Sequence, residues 1–232
     1  MRVAVISDLH LGARKATDAF GHDDEEFLVF LKRLERNFER IVLLGDIWET
    51  LTASAPKGHI AELQAAQASH RAIERRFRLP CYTYVHGNHD LVARSQMGAP
   101  EEYTLVADGV QILFSHGHQG DDLCFKQRGL TEFGVWTGGW IRRLGLGCLY
   151  SYAAQIEGRR NRDPFTCAVR RWALDEADRR SADVVVTGHT HIPMKNEDGS
   201  TLFLNSGSCA HGDISFLSLD TKRGEYGVHS AI

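Results

Sequence analysis

The sequence predicts an α/β fold built on a parallel sheet, because strand-like and helix-like segments alternate along the first half of the chain. Residues 2–6 and 41–44 are apolar runs typical of strands buried on both faces, and residues 81–85 form a β-branched and aromatic run. Helix-like segments separate these runs. Polar residues follow each run directly, which places a candidate site at the carboxyl edge of the predicted sheet.

Two helices are predicted between these strands. The first should begin at the acidic residues 23–26, because negative side chains interact favourably with the positive end of the helix dipole. Its apolar residues recur at helical spacing: Phe27, Leu31, Leu34 and Phe38. We expect the second to be one continuous helix, with its apolar positions at Ile60, Leu63, Ile73 and Phe77.

The second half of the chain predicts a hairpin, a helix and several short strands. Residues 103–107 and 110–115 are strand-like runs joined by Asp108-Gly109, which is a typical hairpin turn. A helix is predicted from Asp163-Pro164 onward, because proline is favoured in the first helical turn. Its predicted apolar face holds Phe165, Val169 and Trp172. Further strands are expected at 184–186, 202–204, 214–219 and 226–228, the last three short and antiparallel.

Length and composition exclude several classes of protein. The 232 residues suffice for one substantial core, and we expect a single domain over residues 1–232. The formal net charge of −3 provides no bulk attraction to nucleic acid. Five cysteines occur without a CxxC pair, which favours a reducing cytosol over a disulfide framework. With no signal peptide and no apolar run of ~18 residues, we expect a cytoplasmic location.

Polar clusters follow five of the predicted strands. One histidine after a strand is usually a satisfied turn residue, but five clusters are costly to bury without a partner. Divalent cations are suitable partners, and carboxylate and amide oxygens with neutral imidazoles fit Mn, Fe, Zn, Ni or Co. The number of side chains suits two ions, which at about 3.5–4 Å apart can bind a phosphoryl group and activate a water. The clusters are Asp8/His10, Asp46, Asn88/His89, His116/His118 and His189/His191.

The clusters form motifs that resemble those of the calcineurin-like metallophosphoesterases. The order DxH, GD, GNHD, HGH and GHTH is complete, and residues 119–162 have no counterpart in it. The resemblance implies a two-sheet αββα sandwich and a hydrolase with two divalent ions, manganese first among the candidates. The motifs are Asp8-Leu9-His10, Gly45-Asp46, Gly87-Asn88-His89-Asp90, His116-Gly117-His118 and Gly188-His189-Thr190-His191.

The resemblance also implies which side chains hold the ions. Two sets of three residues would each bind one ion, and Asp46 would bridge the two ions. The first set is Asp8, His10 and His191, and the second set is Asn88, His116 and His189.

Two further residues would act on the substrate without binding metal. The resemblance implies that His89 contacts the phosphate and protonates the leaving oxygen. Asp90 is predicted to orient His89, because a carboxylate commonly fixes the tautomer of an imidazole. The alternative for Asp90 is a structural role as a turn residue or helix cap.

Within the family, the stretch Gly45-Asp46-Ile47-Trp48-Glu49, the chain length and an aromatic insertion resemble the UDP-2,3-diacylglucosamine diphosphatases of lipid A synthesis. Those enzymes typically carry arginine where this chain has His89, whereas histidine is the commoner choice in the wider family. The loop Asn205-Ser206-Gly207-Ser208 resembles one that follows the final motif in many members. Its amides would approach a phosphate, or it would be a plain turn, which we favour.

Residues 129–162 fit no strand pattern, and we predict that they form a helical cap insertion that selects the substrate. Trp136 and Trp140 would share one face of a helix. Arg142-Arg143 and Arg159-Arg160 can form forked hydrogen bonds with phosphate. Such a surface suits a phosphorylated small molecule or a lipid-linked substrate, and also peripheral contact with an anionic membrane. The alternative is that the tryptophans only pack the cap onto the main domain.

The leading prediction is a metal-dependent phosphoesterase that hydrolyses a phosphate ester or pyrophosphate bond with a metal-activated water. A UDP-2,3-diacylglucosamine diphosphatase is a narrower form of the same prediction. A nuclease is disfavoured because the charge is mild and no basic stripe is evident. A binding scaffold that kept the fold and lost the chemistry, as in the retromer subunit that resembles this family, is disfavoured because every expected ligand position is filled.

Overall fold

The computed structural model describes residues 1–13, 18–51, 58–121 and 167–231. These residues form two five-stranded sheets with helices packed outside them. Among the described residues the strands, numbered in chain order, are β1 (Arg2–Ile6), β2 (Arg40–Leu44), β3 (Tyr82–Val85), β4 (Glu102–Ala107), β5 (Val110–Ser115), β6 (Val184–Thr187), β7 (Met194–Asp198), β8 (Thr201–Asn205), β9 (Ile214–Asp220) and β10 (Glu225–Ala231).

Both sheets are mixed, and each has a parallel centre. The first sheet has the strand order β10-β9-β1-β2-β3, in which β1, β2 and β3 run parallel. The second has the order β4-β5-β6-β8-β7, in which β5, β6 and β8 run parallel. The carboxyl ends of parallel strands meet at one edge of a sheet, so residues that follow them are brought close together.

The helices cover the outer faces of the two sheets. Helices α1 (Asp24–Asn37) and α3 (Arg71–Phe77) and the apolar face of α2 (His59–Ser69) pack on the first sheet, and α5 (Ala168–Arg180) packs on the second. A third apolar layer lies between the sheets. The predicted αββα sandwich is therefore confirmed. The described helices are α1 (Asp24–Asn37), α2 (His59–Ser69), α3 (Arg71–Phe77), α4 (Ala93–Met97) and α5 (Ala168–Arg180), with a 3₁₀ turn at His118–Gly120.

Strand β1 illustrates how the sequence builds these layers. Val3 and Val5 lie in the layer between the sheets, whereas Ala4 and Ile6 face the helices. Successive side chains of a strand point to opposite faces, so a strand that is buried on both sides needs apolar residues throughout. Burial of each of the larger aliphatic side chains stabilises the fold by about 1.5–3 kcal/mol.

Helix α1 forms as the acidic start and the apolar spacing predict. The Asp23 carboxylate accepts hydrogen bonds from the amides of Glu25 and Glu26, at 2.8 and 3.3 Å. A cap of this kind satisfies amides that have no partner inside the helix. The residues that α1 buries against the first sheet are Phe27, Leu31 and Leu34.

The predicted single helix around Ile60 to Phe77 is wrong, because the structure divides it into α2 and α3 at His70. The His70 backbone has φ −121° and ψ 42°, outside the helical region. Its buried ring lies 2.8 Å from Asp24 Oδ1 and 3.0 Å from the Gly12 carbonyl oxygen. These contacts tie the junction to α1 and to the loop after β1. Ile60, placed on the apolar face, is 43% exposed.

The strand predictions need two corrections in the second sheet. Strand β7 was not predicted, because its sequence MKNED is polar, as an edge strand allows. The strand at 202–204 is antiparallel to β7 but parallel to β6. Of the last three predicted strands, all expected to be antiparallel, only β9 and β10 therefore meet the expectation in full. The Asp108-Gly109 hairpin is confirmed, and both turn residues have positive φ.

Two predictions lie wholly or partly outside the described residues. The proposed cap at 129–162 is one, and the helix start at Asp163-Pro164 is the other. Helix α5, which carries Val169 and Trp172, begins at Ala168 with Cys167 as its N-cap residue. None of the described helices is long and apolar enough to cross a membrane.

Candidate metal centre

The predicted site residues follow the carboxyl ends of five strands, three in the first sheet and two in the second. The structure brings them together at one edge of the sandwich. Among the described residues three groups result, and within each group the candidate ligand atoms lie within 4.8 Å of one another. We call two of them the open cluster (Asp8, His10 and His191) and the buried cluster (Asp46, His116 and His189), and the third group is His10, Glu49 and His89.

The loops that carry these residues adopt unusual backbone angles. Strand β1 ends at Ile6, so Asp8 and His10 do not continue it. Among the described residues, eight non-glycine residues have positive φ, and five of them are predicted ligands. Such a conformation costs on the order of 1–3 kcal/mol per residue and concentrates at functional sites. The five are Asp8 (52°), His10 (51°), Asp46 (52°), His189 (67°) and His191 (58°).

In the open cluster, three ligand atoms lie close together. The buried Asp8 carboxylate uses Oδ2 to accept hydrogen bonds from the Ser7 hydroxyl and, at 3.1 Å, from the His189 amide. Asp8 Oδ1 lies 3.2 Å from His191 Nε2. His10 Nε2 lies 3.4 Å from the same His191 nitrogen. Oδ1 of Asp8 therefore faces the two imidazoles.

In the buried cluster, one imidazole is fixed so that its free nitrogen faces a carboxylate. His116 Nδ1 donates to the Leu44 carbonyl oxygen at 2.9 Å, so Nε2 is the nitrogen through which the neutral ring could bind a metal ion. That nitrogen lies 3.2 Å from Asp46 Oδ2. His189 completes the cluster, and its Nε2 also lies 3.2 Å from Asp121 Oδ2.

Three buried polar atoms of the predicted ligands are suited to bind a cation. Asp8 Oδ1, Asn88 Oδ1 and His116 Nε2 make no hydrogen bond to any residue that the structure describes. Buried acceptors without partners are rare, and a metal ion is one accepted explanation. The donor set of carboxylate, amide and imidazole suits a borderline divalent ion. Bound ions would supply an activated water and stabilise charge on a phosphoryl group.

Opposite charges within the two clusters dominate their electrostatics. Burial alone would raise the pKa of a carboxyl group. His191 and then His116 outweigh burial at Asp8 and lower its pKa, and His116 and His89 hold the pKa of Asp46 well below its usual range. Burial opposes a charge on His116, but Asp46 and Asp8 raise its pKa to about 9. Divalent ions would take the place of these imidazole protons.

The glycines of the motifs are required by close contacts between the ligand loops. A Cβ atom on Gly87 would overlap the Asp46 carboxylate, and one on Gly188 would overlap Asp8 Oδ2 and the Ser7 hydroxyl. Gly45 has φ 81°, and a Cβ there would overlap the His116 ring. Each glycine therefore lets one loop approach a ligand that another loop carries.

A sequence profile of the family described as calcineurin-like phosphoesterase matches residues 1–193 of this chain. The chain belongs to that family. The match includes the loops after β1, β2, β3, β5 and β6, so it contains every residue of the open and buried clusters.

Similar proteins with assigned names include two bacterial UDP-2,3-diacylglucosamine hydrolases. The protein from Photorhabdus laumondii is 26% identical over 211 residues, which cover 83% of this chain and 82% of that protein. The protein from Escherichia coli O7:K1 is 26% identical over 215 residues, which cover 85% of each. This calcineurin-like phosphoesterase is thus similar to these hydrolases over most of its length.

Solved structures show the same fold at lower identity. Vps29 from Chaetomium thermophilum superposes with a TM-score of 0.51 at 17% identity, covering 99% of this chain and 95% of Vps29. A Vps29 mutant from Entamoeba histolytica gives a TM-score of 0.50 at 18% identity, covering 100% and 98%. At these identities the likeness concerns the fold alone.

In this phosphoesterase the His89 ring is held by Glu49, a residue to which the sequence analysis assigned no role. Glu49 Oε2 lies 2.8 Å from His89 Nδ1 and 3.3 Å from His10 Nδ1. Burial opposes charge on His89, but Glu49 and then Asp46 raise its pKa to about 10. One carboxylate oxygen therefore serves two imidazoles. The sequence offered one signal for this role of Glu49, which is an acidic residue three positions after Asp46 in a loop that follows a buried strand.

The predicted contact between Asp90 and His89 needs correction. Glu49, and not Asp90, is the hydrogen-bond partner of the His89 ring. The Asp90 carboxylate is fully buried and accepts hydrogen bonds from backbone amides and from the Tyr84 hydroxyl. This geometry corresponds to the alternative that the sequence left open, a structural turn residue.

The loop Asn205-Ser206-Gly207-Ser208 supports the backbone of the loop that carries Asp8. The Ser206 amide donates to Thr187 O, and the Gly207 amide donates to Asn205 Oδ1. The Ser208 hydroxyl donates to the Asp8 carbonyl oxygen at 3.0 Å. The amides of Ser206 and Gly207 are thus engaged internally, which agrees with a turn that supports the Asp8 loop and not with a phosphate cradle.

Proposed function

We propose that this chain is a dinuclear phosphohydrolase in which two divalent ions share Asp46. The proposal depends above all on the two adjoining clusters and on three buried atoms that make no hydrogen bond to a described residue, Asp8 Oδ1, Asn88 Oδ1 and His116 Nε2. The open cluster would hold one ion, and the buried cluster with Asn88 would hold the other. Manganese is our first candidate, with Fe, Zn, Ni and Co as alternatives.

His89 is the proposed proton donor to the leaving oxygen. Its side chain is 19% exposed, so it is open to a substrate at the site edge. Its Nδ1 faces Glu49 Oε2, which leaves Nε2 as the nitrogen that can deliver a proton. The Thr50 amide donates to the His89 carbonyl oxygen at 3.2 Å, so the segment after β2 holds both the ring and the backbone of His89.

The proposed substrate contains a phosphate ester or a pyrophosphate bond. UDP-2,3-diacylglucosamine, hydrolysed at its pyrophosphate bond, is the second and narrower candidate substrate. It is supported by the similarity to hydrolases of that name over 83–85% of the chain. His89, where diphosphatases of that group typically carry arginine, favours a different substrate within the same reaction class.

Reconstitution with metal tests the proposal. The protein is stripped with a chelator, titrated with Mn²⁺, and assayed on p-nitrophenyl phosphate, bis-p-nitrophenyl phosphate and UDP-2,3-diacylglucosamine. We expect no hydrolysis without metal and recovery of hydrolysis as two equivalents bind. Two bound ions with no hydrolysis of any substrate would support the scaffold alternative instead. Cleavage of single-stranded DNA in preference to these substrates would support the nuclease.

Substrate selection by residues 129–162 stays a prediction from the sequence. We propose that this segment contacts the lipid or aromatic part of the substrate and allows peripheral membrane contact. Replacing residues 129–162 with a short loop should spare hydrolysis of p-nitrophenyl phosphate and strongly reduce hydrolysis of a lipid-linked substrate. A folded variant that processes both substrates as before would contradict a selective role.

A further inference from the structure

The Asp90 carboxylate is completely buried, and its hydrogen-bond donors among the described residues belong to, or flank, two metal-ligand loops. Oδ1 accepts from the Gly87 amide at 2.6 Å. Oδ2 accepts from the amides of Ile47 and Trp48, at 2.7 and 3.2 Å, and from the Tyr84 hydroxyl at 2.5 Å. Three backbone amides and one phenol hydroxyl therefore fix both oxygens of this carboxylate.

These donors lie next to two of the proposed ligands in the sequence. Ile47 directly follows Asp46, and Gly87 directly precedes Asn88. Asp46 makes the reverse contact, because its Oδ1 accepts from the His89 amide at 2.8 Å. Each loop therefore offers a carboxylate to the amides of the other loop, and we call this arrangement the carboxylate exchange.

The carboxylate exchange buries two carboxylates between the same two loops, and removing a carboxylate from water is costly. A turn in a loop needs no second buried carboxylate beside the first. The arrangement is explained if its purpose is to fix the Asp46 side chain with only Oδ2 free, directed towards His116 Nε2 at 3.2 Å.

We propose that Asp90 is a positioning residue that acts through the metal ligands Asp46 and Asn88, and not through His89. The proposal rests on the proposed dinuclear function. It differs from the orienting role that the sequence suggested, because that role passes through the His89 ring. The two roles make opposite predictions for metal affinity and for the dependence on the leaving group.

Two variants test the proposal, and they differ in how strongly they disturb the hydrogen bonds of the Asp90 carboxylate. Asp90→Asn replaces one acceptor oxygen with an NH₂ group, which must then face either the Gly87 amide or the donors on the Oδ2 side. Tyr84→Phe is milder, because it removes only one of the four donors. Tyr82→Phe is a matched control two residues earlier on β3, since its hydroxyl also donates to a carboxylate, Glu35 Oε1 at 2.8 Å.

The first readout is cobalt binding to metal-free protein, followed by titration calorimetry and the visible absorption spectrum. Loss of a group that orients a metal ligand typically lowers affinity about 10–100-fold. We expect a loss in that range for Asp90→Asn, a smaller loss with an altered spectrum for Tyr84→Phe, and wild-type behaviour for Tyr82→Phe. If Asp90→Asn does not fold, Tyr84→Phe decides, and unchanged cobalt affinity and spectrum in that variant overturn the proposal.

The second readout is a double-mutant cycle with His89→Asn under saturating metal. If Asp90 acts through the ligands, Asp90→Asn slows the His89→Asn enzyme by the same factor as the wild type. The factor should also be equal for p-nitrophenyl phosphate and an alkyl phosphate. Disappearance of the Asp90→Asn effect in the His89→Asn background would assign Asp90 to His89 and overturn the proposal. A wild-type protein that binds no cobalt would instead reject the proposed function.

Discussion

The open and buried clusters contain similar ligands but differ in access to solvent and in what supports them. The His191 side chain of the open cluster is 42% exposed, whereas His116 of the buried cluster is fully buried. The outer nitrogen of His10 faces the Glu49 carboxylate, and that of His116 faces the Leu44 carbonyl oxygen. His10 is thus supported by a carboxylate in a cluster with one exposed ligand, while His116 is fully buried and supported by the backbone. We expect the two clusters to bind and release ions differently.

The largest effect should come from Asp46, which the two clusters are proposed to share. Asp46→Asn keeps the volume of the side chain but removes the negative charge that would balance two cations. We expect loss of at least one bound ion and of hydrolysis. Elemental analysis of the purified variant measures the stoichiometry, and circular dichroism confirms the fold. Two equivalents of metal retained in Asp46→Asn would contradict the bridging role and would make the clusters independent sites.

A smaller effect is expected from His89, which contacts both clusters electrostatically but is proposed to bind neither ion. General acid catalysis contributes about 10²–10⁴-fold, so His89→Asn should lose rate on that order and keep both ions. The loss should shrink for p-nitrophenyl phosphate, because nitrophenolate leaves without a proton. Parallel measurement of kcat and metal content checks both points. A variant that loses its metals would show that His89 belongs to a cluster after all.

Glu49 offers a way to perturb the open cluster alone. Glu49→Gln replaces with an amide the carboxylate whose Oε2 contacts both His10 Nδ1 and His89 Nδ1. We expect about 10–100-fold weaker binding of the ion in the open cluster and little change in the buried cluster. The rate loss should diminish in the His89→Asn background, but the loss of affinity should persist. Glu35→Gln is the control, because Glu35 binds Arg76 and Tyr82 away from the site. Equal weakening of both ions would contradict the separation.

The contrast between Glu49 and the predicted ligands shows which residues of the site can be predicted from the sequence. Apolar runs predicted nine of the ten strands among the described residues, and the motifs led to the side chains that the structure brings together at the strand ends. Glu49 gave no comparable signal, because its role depends on the distance between two histidines from different loops. The same holds for Asp90, because two of its four donors are backbone amides of a loop more than forty residues away. Contacts between loops are set by packing and leave no local pattern.

The break at His70 was missed for a related reason. Residues 59–77 have helical spacing, and a histidine does not by itself end a helix. The break follows from contacts of the buried ring with α1 and with the loop after β1. Strand β7 was missed because an edge strand can be polar, so period and composition give little signal there. Local patterns therefore predict the layers of the sandwich better than the junctions between them.

The smallest expected effect is a difference in the rate at which the two ions leave. The exposed His191 lets a chelator approach the open cluster, whereas His116 and Asp46 are enclosed. We expect cobalt-loaded protein to lose its ions to a chelator in two phases, with the fast phase from the open cluster. His191→Asn should accelerate the fast phase only, and His116→Asn the slow phase only. Stopped-flow absorbance of the cobalt bands measures both phases. A single phase, or a fast phase that responds to His116→Asn, would mean that the shared Asp46 couples the ions so strongly that exposure of one cluster does not determine which ion leaves first.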